Sequence, residues 1–199
     1  VYVRKKGLFK YKGKKLELIK GTEIFKSTKQ TIYGVSKFKN GLLLVTRKSG
    51  LYYLENKTLK KVKLNSDLID KTTIYRSIKI KKKGFALATY NGLFVLDNNL
   101  KVTGHFNKDN GLVNSNVRSL FVDRDENLWI GLNDGISKLK QMNGITFFDR
   151  KYANINSIVN NVEVHNNTLY LSSSTGLKKL KTDENSLNQE FISVAENKI

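Results

Sequence analysis

Apolar and polar positions alternate in short runs along the chain, and the runs return at a nearly constant interval. Five segments share a glycine followed by Leu or Ile, two variable residues and usually a large apolar one: Gly7-Leu8-Phe9-Lys10-Tyr11, Gly50-Leu51-Tyr52-Tyr53-Leu54, Gly92-Leu93-Phe94-Val95-Leu96, Gly135-Ile136-Ser137-Lys138-Leu139 and Gly176-Leu177-Lys178-Lys179-Leu180. Successive glycines stand 43, 42, 43 and 41 residues apart. Eighteen residues before each of the last four glycines lies a β-branched apolar residue, Ile32, Ile74, Val117 and Ile158. Two columns held in phase mark an internal repeat, which must be read before any local element.

Each repeat resolves into strands. After the β-branched column come β-prone stretches such as Ile74 to Ile80 and Val117 to Val122, then a polar turn such as Asp123 to Asn127, which predicts a first strand and a hairpin. The runs Leu42 to Thr46, Phe85 to Thr89, Leu128 to Leu132 and Leu169 to Ser173 predict a second, buried strand. Four positions before the glycine stand Val3, Thr46, Ala88, Gly131 and Ser172, all small or β-branched, as expected where strands of adjacent repeats approach closely. The anchor glycine suits a tight turn at positive φ, and the strand after it alternates, Phe9 and Tyr11 against Lys10 and Lys12. A fourth, more variable strand follows, for example Lys101 to Phe106 or Ile145 to Phe148.

Four antiparallel strands recurring about every 42 residues predict an all-β chain, a β-propeller, because helical repeats would show 3.6-residue spacing of apolar positions. The expected blades occupy approximately 1–27 (partial), 28–69, 70–112, 113–153 and 154–199, one propeller segment over 1–199. The chain opens inside a repeat and ends after an outer strand, the pattern expected of a slice of a larger propeller, about 4.5 to 5 blades, or of a five-bladed one with irregular closure. As an alternative at the end, apolar residues at 187, 191 and 194 permit a short helix over Leu187 to Ala195.

The most specific stretch runs from Phe106 through Asp109-Asn110-Gly111-Leu112 to Val117, and on through Asp123-Arg124-Asp125-Glu126-Asn127-Leu128-Trp129-Ile130-Gly131 to Gly135-Ile136. It resembles the two-component regulator propeller repeat, with its Asp-Gly-Leu-like opening, valine-led strand, Asp turn, Asn-Leu-Trp-Ile-Gly and Gly-Ile anchor. The other repeats keep the columns but carry Leu44, Ala86 and Tyr170 where Trp129 stands. The resemblance implies the extracytoplasmic or periplasmic sensor region of a bacterial hybrid two-component system or related transcriptional regulator, often responding to carbohydrate breakdown products. It implies signal reception rather than catalysis, with downstream signalling domains, a second propeller or a homodimer as partners.

Composition narrows the chemistry. The chain has no cysteine, which removes disulfides, thiolate catalysis and cysteine zinc sites, and only two histidines, His105 and His165. No metal, cofactor or catalytic constellation is predicted, so the chain reads as no enzyme. The 123–127 turn lacks the spacing of a calcium loop. A propeller lyase or hydrolase and a cell-envelope interaction scaffold are the alternatives. Proline is absent, so turns rest on Gly, Asn, Asp and Ser. The net charge of +19 is concentrated, with 24 basic and 6 acidic residues in 1–100. Such a field attracts polyanions, but 30 of the cations are Lys and only 6 Arg, which favours a solvated surface over phosphate forks and disfavours nucleic acid.

Trp129 is expected to pack between repeats. Binding is expected where first strands begin and where the loops after second strands gather, because loops carried on a rigid scaffold form concave sites. Just after the β-branched column stand Tyr33, Tyr75, Arg76 and Arg118; before the glycines stand Arg47, Lys48, Tyr90, Asn91, Asn133 and Asp134. From these the candidate ligand-binding set is Tyr33, Arg47, Tyr75, Arg76, Tyr90, Arg118 and Asn133. Tyrosine faces stack on the apolar side of a sugar and guanidinium groups hold carboxylate or sulfate, so the expected ligand is an oligosaccharide, an acidic one included.

Overall fold

A computed structural model describes residues 1–27, 30–81, 84–140, 144–148, 155, 157–166, 168–181 and 190–196. The described residues form nineteen strands in five antiparallel sheets. The first sheet has three strands, β1 (Tyr2–Val3), β2 (Gly7–Lys12) and β3 (Lys15–Leu18), followed by a single helical turn, α1 (Ile24–Ser27). Four four-stranded sheets follow. They are β4 (Ile32–Phe38), β5 (Gly41–Thr46), β6 (Leu51–Glu55) and β7 (Thr58–Lys61); then β8 (Ile74–Ile80), β9 (Gly84–Thr89), β10 (Gly92–Leu96) and β11 (Val102–Phe106). The third is β12 (Val117–Val122), β13 (Leu128–Leu132), β14 (Ile136–Lys140) and β15 (Gly144–Phe148); the last is β16 (Val159–His165), β17 (Thr168–Ser173), β18 (Gly176–Lys181) and β19 (Glu190–Glu196). In every sheet the strand order is the sequence order, so each repeat is a simple meander. The chain divides into two compact units, Val1–Ser77 and Ile78–Ile199, with the boundary inside β8.

A four-stranded sheet that buries both faces needs neighbours on both sides, and the cores are the seams between successive sheets. In the first unit Leu8, Phe25, Ile32 and Leu44 close one seam, with Phe25 edge-on to Tyr52 at 5.8 Å. In the second unit, Ala86, Ala88, Leu93 and Val95 pack against Val117, Leu120, Leu128 and Ile130. Trp129 and Ile136 in turn pack against Val159, Val162, Leu169 and Leu171. Trp129 is 5% exposed and lies between two sheets, as its sequence context predicts. Gly131 shows why its column is small. A Cβ there would stand 2.9 Å from Val159 Cγ1 and would also collide with Ser119 Oγ. The anchor glycines behave as expected too, with φ of 111° at Gly7, 75° at Gly50, 123° at Gly92, 83° at Gly135 and 129° at Gly176.

Three expectations are corrected. Strand β16 begins at Val159, which is fully buried, whereas Ile158 is 36% exposed. The last repeat is one residue short between this column and Gly176, so the buried position moves by one. The small-residue column also slips in the first two repeats. Pairing places Val45, opposite Gly34 and Leu51, where Ala88, Gly131 and Ser172 stand in later repeats, and Tyr2 opposite Leu8. The turns Arg4 to Lys6 and Arg47 to Ser49 hold three residues where the later ones hold two, which shifts Val3 and Thr46 out of register. Finally, residues 190–196 form strand β19 rather than helix, while 187–189 lie outside the described residues. Strand β19 satisfies the outer backbone groups of β18, and a bulge displaces Val194.

Candidate functional site

Two of the residues singled out in the sequence, Tyr33 and Arg118, stand on one recurring backbone device. At the start of the first strand, pairing skips one residue: Ile32 faces Thr46 but Gly34 faces Val45, Val117 faces Leu132 but Ser119 faces Gly131, and Val159 faces Ser173 but Asn161 faces Ser172. The bulged residues are therefore Tyr33, Arg118 and Asn160. A bulge leaves its residue out of the ladder and re-aims its side chain, which is why such positions recur beside binding sites.

The loop after the second strand is tied to the same end of the sheet. Arg47 N donates to Thr31 O at 2.9 Å, Asn133 N to Asn116 O at 2.9 Å and Ser174 N to Ile158 O at 3.0 Å. The first residue of each following turn is thus tied to the residue two before the bulge, and in the first unit this brings the Arg47 guanidinium to 5.8 Å from the bulged Tyr33 ring. The turns are held by a hydroxyl column that sequence reasoning missed. Thr46 Oγ1 donates to Gly50 O at 2.8 Å, Thr89 Oγ1 to Gly92 O at 2.7 Å and Ser173 Oγ to Gly176 O at 3.0 Å. These oxygens also accept from the amides of Ser49, Asn91 and Thr175. The available signal was a Ser or Thr closing three of the four complete second strands; Leu132 holds the fourth place, where the backbone bond from Leu132 N to Gly135 O remains.

In the first unit four of the seven candidates come together. Tyr33, Tyr75 and Arg76 line an open groove of ≈ 550 Å³ with Thr31, Ile32 and Ser77. The Arg47 guanidinium lies 5.8 Å from the centre of the Tyr33 ring, and the Arg47 carbonyl accepts from Ile74 N at 2.8 Å, which fixes the start of the strand bearing Tyr75 and Arg76. Arg47 and Arg76 are exposed, Tyr33 is 39% exposed and Tyr75 is half-buried. Neither arginine forms an ion pair among the described residues. The groove lining carries two tyrosines and an arginine, with a second guanidinium near the Tyr33 ring, an arrangement suited to a ligand with an apolar face and anionic or polar edges.

The remaining three candidates, Tyr90, Arg118 and Asn133, belong to the second unit. Tyr90 is 58% exposed in the turn held by Thr89, and Arg118 and Asn133 are half-buried. None of them lines the Tyr33 groove. Of the histidines, His105 stacks on Phe94 at 4.1 Å with its Nε2 2.8 Å from Asn91 O, and His165 is exposed at the end of β16. The 123–127 segment is the hairpin connection between β12 and β13, closed by Asp123 N donating to Asn127 O at 3.0 Å. The Asp123 carboxylate accepts from Asn127 N at 2.8 Å, Asn127 Nδ2 at 3.0 Å and Trp129 Nε1 at 2.9 Å, with Lys138 Nζ 3.7 Å away. Burial alone pushes Asp123 up, but the hydrogen bonds from Asn127 and Trp129 and the Lys138 charge outweigh it and hold the carboxyl below its usual range. This cluster anchors the hairpin and fixes the indole.

Comparison with known proteins follows the same lines. Residues 111–134 match the family pattern of the two component regulator propeller. No curated protein matches the chain significantly. Among solved structures, the chain is similar to the extracellular domain assigned to hybrid two component system BT3049 from B. thetaiotaomicron (TM-score 0.65, 18% identity, over 82% of this chain and 23% of that one). It is also similar to that of BT4673 from the same organism (TM-score 0.67, 17% identity, 83% and 21%). A streptogramin B lyase matches with TM-score 0.61 at 15% identity, over 86% of this chain and 57% of the enzyme. The likeness establishes the fold, a run of β-propeller blades. The chain spans less than a quarter of the two extracellular domains, and among the described residues no helix is long and apolar enough to cross a membrane.

Proposed function

We propose that this chain is a ligand-sensing stretch of an extracytoplasmic propeller of two-component type, and that the Tyr33–Arg47–Tyr75–Arg76 groove receives an oligosaccharide. The observation that carries the reading is that Tyr33, Tyr75 and Arg76 line one open groove while the Arg47 guanidinium lies 5.8 Å from the Tyr33 ring. A sugar ring lays its apolar C–H face on Tyr33 or Tyr75, and Arg47 and Arg76 take hydroxyl, carboxylate or sulfate oxygens as charge-assisted hydrogen-bond donors. The similarity to extracellular domains of hybrid two component systems supports reception over chemistry. Ligand binding acts as a signal only through differential affinity for two arrangements of the protein, so the bound sugar biases packing toward downstream signalling domains or a second propeller.

Calorimetric titration of the folded chain with a panel of neutral and acidic oligosaccharides tests this. Saturable binding is expected, weakened about tenfold to a hundredfold by Arg76→Ala, the loss of one charge-assisted contact of roughly 1.5–3 kcal/mol. The absence of binding to every glycan by well-folded protein overturns the sensing reading, and capture of a defined envelope protein by the same surface would replace it with a scaffold role.

A further inference from the structure

A second open pocket, of ≈ 360 Å³, lies wholly in the second unit, where the first strands β8, β12 and β16 end, whereas the bulges of β12 and β16 stand at their starts. Three successive sheets build it. Lys79 and Lys81 come from the end of β8 and the residue after it, Phe121, Val122 and Arg124 from the end of β12 and its hairpin, and Val164 from β16. Phe121 and Val164 are half-buried against the seam around Trp129, and Val122 is half-buried against the preceding seam. Together they form a floor that still keeps apolar surface in water, and a ligand that covers it gains the free energy of that burial. The charges around the floor are unbalanced. Lys79, Lys81 and Arg124 are exposed, and none forms an ion pair among the described residues. Two carboxylates share the lining, Asp123 and Glu126. Asp123 is already engaged, accepting from Asn127 and Trp129 with Lys138 Nζ 3.7 Å away. Three cations therefore stand against the one remaining carboxylate, Glu126.

We propose that this pocket takes a small organic acid, a carboxylate carried on a compact apolar body such as an aromatic ring. The body covers Phe121, Val122 and Val164, and the carboxylate accepts charge-assisted hydrogen bonds from Arg124 and the two lysines. The volume lies at the small end of the range of about 300–1,000 Å³ common for ligand pockets, which suits one ring and not a run of sugar units. A bare inorganic anion would engage the cations and leave the floor uncovered, and a neutral sugar would leave the positive charge unanswered. Because Val122 and Val164 each pack onto a seam between described sheets, the floor is set by residues within the chain. The Tyr33 groove belongs to the first unit and shares no lining residue with this pocket, so the proposal does not rest on the sugar reading.

Amide-resolved NMR titration of the chain with phenylacetate tests the proposal, beside phenylacetamide, the same body without the charge, and acetate, the same charge without the body. Phenylacetate should saturate at about a millimolar or tighter, an ordinary strength for a ligand of about ten heavy atoms. Its shifts should gather in the segments 79–81, 121–126 and 164–166. Both comparison compounds should bind at least about tenfold more weakly. Arg124→Gln and Lys79→Gln, which replace exposed side chains and leave the floor intact, should each weaken phenylacetate by about tenfold, the lower end for one charge-assisted hydrogen bond. Arg76→Ala should leave its binding unchanged, which separates this pocket from the sensing groove. Urea midpoints followed by Trp129 fluorescence verify that each variant remains folded. No saturable phenylacetate binding by folded protein, acetate or phenylacetamide binding as tightly, affinity untouched by both the Arg124 and Lys79 changes, or shifts confined to 31–33 and 75–77 would each overturn the assignment.

Discussion

Replacing Asp123 by alanine is the most informative single perturbation of the scaffold. Its carboxylate joins the backbone of the 123–127 turn, the Asn127 amide and the Trp129 indole, and Asn127 and Trp129 are 7% and 5% exposed. Alanine removes the acceptor for two buried side-chain donors, each worth about 1.5–3 kcal/mol toward a charged partner. Because the two bonds share one carboxylate, the expected loss is about 3–4 kcal/mol rather than the full total. Trp129 is the single tryptophan and lies in the second compact unit, so urea denaturation followed by its fluorescence reports that unit directly. With a slope of about 2 kcal/mol/M the midpoint should fall by roughly 1.5–2 M. Asp123→Asn should lose less, since one oxygen still accepts while the new amide faces donors. The carboxylate also gives the stability a pH signature. Its folded-state value lies below the unfolded one, so its contribution is present at neutral pH and is lost as pH falls below about 4, through the folded value. The difference between wild type and Asp123→Asn should therefore shrink on acidification. A midpoint for Asp123→Ala within experimental error of wild type, or a difference that grows toward low pH, would refute the anchoring role.

Other outcomes follow from the same geometry. Gly131→Val should cost more than about 3 kcal/mol in thermal or urea unfolding, because the added side chain meets Val159 and Ser119 across the seam. Thr89→Val should cost about 1–2 kcal/mol by the same assay, since it leaves Gly92 O and Asn91 N without the hydroxyl they share. The corrected register makes a paired prediction: Ile158→Lys should change stability by less than about 0.5 kcal/mol and Val159→Lys should prevent the second unit from folding, with the reverse order contradicting the register.

Much of the fold was legible because a repeat multiplies weak signals. One glycine says little, but five in phase with a β-branched column fix strand order, turn positions and the seams, including the place of Trp129. The misreadings arose where a single residue was gained or lost. A repeat one residue short moved the buried position from Ile158 to Val159, and three-residue turns moved Val3 and Thr46 out of their column. At the chain end, the bulge that displaces Val194 breaks the alternation of β19 and leaves apolar residues at 191 and 194, a spacing that imitates a helix. The candidate site was legible in residue type but not in grouping. Tyr33, Tyr75 and Arg76 line one groove with Arg47 beside Tyr33, because a bulge and a pinned turn place them there, and neither device has a clear sequence signal. The hydroxyls of Thr46, Thr89 and Ser173 were visible as a column and went unread because their role lies in the turn and not in the ligand.

Hydrogen–deuterium exchange of the chain with and without a saturating oligosaccharide tests the sensing account most directly. Slowed exchange is expected in the segments 31–33, 47–49 and 75–77, and is expected to be reduced in Arg76→Ala at the same sugar concentration. Protection confined to other segments, or binding that leaves these amides unchanged, would contradict it.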